Sequence, residues 1–88
     1  MTLYRINRPM GGPVSDDDMN ATAFRANVCM AHFPGMKWHR SFLDRNTWTF
    51  QCIYEAESEE AIREHAKMAA VPCEEVVAVE EYTPDPFE

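Results

Sequence analysis

The chain has 88 residues and a mass of 10.2 kDa, which leaves room for one domain, because a second core drawn from so few residues would be too thin to fold. Hydrophobic residues make up 45% and charged residues 26% of it, a balance that excludes a disordered polar chain and a membrane-spanning one. Fifteen acidic against eight basic side chains give a net charge of -7, which excludes nucleic acid and anionic membrane as partners, since both are recognised through clustered Lys and Arg.

Leu3 to Arg8 reads as a strand that ends at the breaker cluster Pro9-Met10-Gly11-Gly12-Pro13. Ser15 followed by Asp16, Asp17 and Asp18 is a helix start, with a hydroxyl to cap an orphan amide and carboxylates at the positive end of the dipole. Ala21, Phe24, Val28 and Ala31 recur at helical spacing and predict the buried face of that helix, which Pro34-Gly35 stops. Met36 to Leu43 and Thr47 to Glu55 are aromatic and β-branched runs around the polar turn Asp44-Arg45-Asn46, the pattern of a β-hairpin. Ser58 caps a second helix whose Ile62, His65, Ala66 and Ala69 form one stripe, closed by Pro72. Val76 to Tyr82 is the last predicted strand, and residues 83–88 form an extended tail.

The order β-α-β-β-α-β predicts a single α+β domain over residues 1–88, the ferredoxin-like sandwich with a four-stranded antiparallel sheet and both helices on one face. Large apolar residues at both strand parities ask for cover on the second face as well. A homodimer built as a dimeric α/β barrel, two sheets face to face, supplies it. Three widely spaced cysteines, Cys29, Cys52 and Cys73, make an odd number with no disulfide pattern, which fits reduced thiols. With Met1 leading straight into a strand-like pattern rather than an export signal, the expected location is the cytoplasm. Acidity concentrates after residue 54, where eleven acidic and two basic side chains stand, and most of it reads as a solvated face.

A hairpin turning at Arg45-Asn46 would set His39 directly across from Cys52. Cys29, near the end of the first helix, falls at the same end of the sheet, and His65 lies two turns into the second helix. Imidazole and thiolate together suit Ni(II), Zn(II) or copper, although no C-x-x-C or H-x-x-x-H spacing is present. Cys52 is equally readable as a small buried hydrophobe between Phe50 and Tyr54, and His65 as a core histidine bonded to a backbone carbonyl. The alternating aromatics Trp48, Phe50 and Tyr54 occupy the strand where RNA-recognition domains place stacking rings, but the Lys/Arg-Gly start of that motif is missing. No phosphate-cradling glycine loop or Ser-His-Asp order is recognisable, and no organic cofactor is expected.

The run Trp38-His39-Arg40-Ser41-Phe42, then Cys52-Ile53-Tyr54-Glu55-Ala56, then Glu60 to Ala66 with R-E-H-A, Pro72 and the closing Asp85-Pro86 resembles a family of small bacterial proteins labelled nickel-binding. That resemblance covers nearly the whole chain and implies the ferredoxin-like fold and a dimer. It places the family's polar motif residues on Trp38, Ser41, Cys52, Tyr54 and His65, with Cys29 matching a helix cysteine of closer relatives. The nickel-binding branch carries a D-x-H near the end of its first strand and a histidine in its first helix; this chain reads Ile6-Asn7-Arg8 and has no histidine before His32.

The expected function is therefore a small dimeric protein holding Ni(II) or Zn(II) through Cys52 and His65, with Cys29 and His39 as further donors. The alternative is a cofactor-free enzyme or small-molecule-binding protein of the dimeric α/β barrel kind. In it His65 is the acid/base, and Trp38, Ser41 and Tyr54 are pocket residues.

Overall fold

The computed structural model describes residues 1–85 and follows the predicted order. β1 (Thr2–Pro9) leads to α1 (Asp16–Cys29), which tightens into a 3-10 turn at Met30–His32; β2 (Lys37–Asp44), β3 (Thr49–Ala56), α2 (Glu59–Ala69) and β4 (Glu75–Val79) follow. The strands form one antiparallel sheet in the order β2-β3-β1-β4, the ferredoxin-like arrangement. Thr83 to Asp85 are exposed and outside any strand; the rest of the expected tail, including Pro86, lies outside the described residues. Among the described residues no helix is long and apolar enough to cross a membrane.

Both helices begin as their sequences dictate. Ser15 Oγ accepts from the Asp18 amide and Ser58 Oγ from the Ala61 amide, each at 3.1 Å, satisfying donors that have no partner inside the helix. α2 ends in a Schellman motif, with the Ala70 amide bonded to the Lys67 carbonyl and the Val71 amide to the Ala66 carbonyl. Ala70 therefore sits in the left-handed region at φ 56°, a position that glycine usually takes. The stripe read from the sequence is the buried one: Ile62, His65, Ala66 and Ala69 all face the core, packed over Ile6, Cys52 and Tyr54.

α1 departs from its predicted orientation. Phe24 and Val28 are 69% and 54% exposed, and the buried residue of the helix is Ala26. Polar contacts set this rotation. Arg25 donates through Nε to the Ala69 carbonyl at 2.9 Å, serving a carbonyl at the end of α2, and a ring nitrogen of His65 bonds the Ala26 carbonyl at 2.8 Å. Small residues, Ala23 and Ala26, then face the sheet and leave space above it.

The hairpin register also differs. Asp44 Oδ1 accepts from the Asn46 amide at 2.8 Å, an Asx turn, and Trp48 closes the loop at φ 52°. Strand pairing thus begins at Asp44 and Thr49, and Ser41, not His39, stands across from Cys52. β4 is also shorter than expected, ending at Val79.

On the face away from the helices, paired positions bring Leu3 beside Val79, and Arg5 beside Ile53 and Val77. Surface pairs join this edge of the sheet, Arg5 with Glu75 at 3.1 Å and Asn7 with Glu74 at 3.0 Å. An exposed ion pair such as Arg5–Glu75 contributes about 0 to 1 kcal/mol, so it sets polarity more than stability.

Candidate functional site

In a regular strand, residues three apart point to opposite faces, so Trp38 and Ser41 would not meet. The register of β2 against β3 slips between Trp38 and Arg40, an irregularity at His39 that brings Trp38 and Ser41 onto one face. Trp38 Nε1 donates to Ser41 Oγ at 2.8 Å, and Ser41 Oγ donates to Cys52 Sγ at 2.9 Å. The serine hydroxyl thus accepts once and donates once, linking an indole to a buried thiol that is 4% exposed. The W-x-x-S spacing is explained by this bulge.

Tyr54, 1% exposed, stacks on Trp38 with ring centroids 5.7 Å apart and planes 15° from parallel. Burial pushes its phenol up to about 12, against the opposing positive charge of Arg8. Arg8 follows Tyr4 and Ile6 on the inward side of β1, 5% exposed, with its guanidinium 5.4 Å from the Tyr54 ring centroid. Its Nη1 donates to the Pro72 carbonyl at 2.7 Å, and its Nη2 is buried with no partner among the described residues.

These side chains surround a cavity of about 240 Å³ between α1 and the sheet. Trp38, Ser41, Cys52 and Tyr54 line its floor with Arg8, and Ala23 and Ala26 of α1 form part of its roof. Four residues singled out in the sequence are therefore brought together.

The other three are not. His39 lies on the exposed part of β2, with Nε2 3.2 Å from Glu55 Oε1. Cys29 is half-buried at the last residue of α1 and does not line the cavity. His65 is fully buried behind Tyr54, 5.6 Å from its ring and 5.6 Å from that of Phe33. It is absent from the cavity lining, which removes the expected acid/base from this pocket. A carbonyl can only accept, so His65 Nε2 carries the hydrogen in its bond to Ala26 and Nδ1 is bare in the neutral ring. Nδ1 has no hydrogen-bond partner among the described residues. Burial lowers the His65 pKa, reinforced by the charge of Arg8 and opposed by the Ala26 bond. Among the described residues no three His, Cys, Asp or Glu side chains converge to hold a metal ion.

Arg8 is the site residue that motif reading missed. Its signal was present: a lone cation continuing the inward alternation of Tyr4 and Ile6.

Residues 4–79 match the family profile described as "Nickel responsive protein SCO4226-like". Among solved structures, the fold is similar to the crystal structure of SCO4226 from Streptomyces coelicolor A3(2), with a TM-score of 0.80 and 14% identity, covering 92% of this chain and 99% of that one. No curated protein matches the sequence. With the profile spanning most of the sequence and the fold in agreement, the chain belongs to the SCO4226-like family.

Proposed function

We propose that this member of the family binds a small organic molecule in the cavity beneath α1, acting as a homodimer paired through the open face of its sheet. The observation that carries the reading is the cavity itself: apolar walls interrupted by a few converging polar groups, Arg8 and the Trp38–Ser41–Cys52 chain. That combination is the usual make-up of a ligand site. Leu3, Ile53, Val77 and Val79 on the opposite face support the dimer.

Titration of 15N-labelled protein with 1-naphthaleneacetate and 1-naphthaleneacetamide should move the Trp38 indole and Ser41 amide resonances in a saturable way. The variant Ala23→Phe, which fills the cavity from α1, should abolish those shifts while leaving the rest of the spectrum in place. Shifts that are unsaturable, or unchanged by Ala23→Phe, would overturn the reading.

The family match favours a second reading, in which Ni(II) or Zn(II) binds through Cys52 Sγ and the bare Nδ1 of His65, a donor pair suited to either ion. Cys29 and His39 would be further donors. The donor set of one chain does not fit a complete site, because His39 is exposed, Cys29 stands off the cavity and no three donors converge among the described residues. A metal there would therefore need ligands beyond those that the described residues bring together. Calorimetric titration of reduced, tagless protein with Ni(II) and Zn(II) decides this: saturable micromolar binding lost in Cys52→Ala or His65→Ala supports it, and heats no larger than dilution reject it.

A further inference from the structure

Arg8 is the cation of this cavity, and its position is costly. Taking a guanidinium out of water carries a penalty of several kcal/mol unless charge and hydrogen bonds compensate it. Part of the compensation is visible. Nη1 is held by the Pro72 carbonyl at 2.7 Å, and the guanidinium packs 5.4 Å from the Tyr54 ring centroid. Nη2 remains buried without a partner among the described residues, and none of the residues lining the cavity is Asp or Glu. The acids nearest in the sheet register are spoken for on the outer face: Glu75 pairs with Arg5, and Glu74 accepts from Asn7. The site thus holds a buried positive charge for which the described residues lining the cavity supply no counter-charge.

We propose that the cavity selects a small organic acid, with a carboxylate on Nη2 of Arg8 and an apolar body against Trp38 and Phe50. This rests on the reading of the cavity as a ligand site and adds the chemical class. A carboxylate fits better than a phosphate. The cavity presents one cation, so a monoanion is neutralised, whereas a dianion would bury an uncompensated charge. At about 240 Å³ the space falls below the roughly 300 to 1,000 Å³ of sites for drug-sized ligands, which points to a single ring system or a short aliphatic chain. The Pro72 carbonyl fixes the guanidinium before the ligand arrives, so little ordering remains to be done on binding.

The test compares an acid with its neutral isostere. Calorimetry at pH 7.5 with 1-naphthaleneacetate and 1-naphthaleneacetamide should give at least a ten-fold preference for the acid in the wild-type protein. Arg8→Met should erase that preference, and Arg8→Lys should keep part of it. The wild-type comparison reads the charge requirement even if Arg8→Met fails to fold. Equal affinities for acid and amide, with both still lost in Ala23→Phe, overturn the carboxylate class and leave the ligand site standing. Binding of neither compound overturns both.

Discussion

Tyr54→Ala is expected to remove about 3 to 5 kcal/mol of stability, the range for deleting a large buried aromatic side chain. A domain of this size holds roughly 5 to 15 kcal/mol in all, so the variant should be barely folded at 25 °C. Its melting temperature should fall by about 12 °C or more, at roughly 4 to 8 °C per kcal/mol. The size of the effect follows from what the ring joins: it stacks on Trp38, meets His65 at 5.6 Å and supports the Arg8 guanidinium. Tyr54→Phe keeps those contacts and should stay within about 1 kcal/mol of wild type.

The phenol adds an alkaline limit. Its folded pKa of about 12 stands above the ordinary 10, so this stabilisation is complete below pH 10 and is lost as pH rises from 10 towards 12. The loss is on the order of 2 to 3 kcal/mol at about 1.4 kcal/mol per unit. Tyr54→Phe should abolish that stretch of the pH profile in chemical denaturation, and a profile unchanged by the variant would assign it to another group.

His65→Leu should cost about 2 to 4 kcal/mol, combining an imperfectly filled site with an orphaned carbonyl. The orphan is specific. Where α1 tightens into its 3-10 turn, the Met30 amide bonds the Asn27 carbonyl, and His65 Nε2 supplies the Ala26 carbonyl with a donor from α2. The pH dependence runs opposite to that of Tyr54. Burial holds the folded His65 below its usual 6.5, so the unfolded chain takes up the proton first. The contribution is complete above pH 6.5 and is lost as pH falls from 6.5 towards the lowered value. Urea unfolding at pH 5, 6, 7 and 8 should show a decline below pH 6.5 that is shallower in His65→Leu. Equal declines would show that His65 is not the titrating group.

The features legible in the sequence are those whose cause lies within a few residues. Ser15 and Ser58 cap because a hydroxyl three residues before an orphan amide reaches it in any helix. The α2 stripe was readable because Ile62, His65, Ala66 and Ala69 repeat at helical spacing and nothing else competes for that face. α1 was not. Its apolar residues are few, and bonds from Arg25 and His65 to carbonyls of neighbouring helices outweighed the burial of Phe24 and Val28.

The site divides in the same way. Trp38, Ser41, Cys52 and Tyr54 were recognisable as a motif, but their meeting depends on an irregularity at His39 and a loop capped by Asp44, which together displaced His39 from its expected place opposite Cys52. By itself the sequence determined the element order, the helix starts and the sheet that follows from them, because capping and periodicity are local. Only the tertiary structure decided which donors converge, that His65 stands behind the cavity, and that Arg8 is buried with no counter-charge among the described residues that line it. Those outcomes depend on register and helix rotation, which are settled by contacts between residues far apart in the chain.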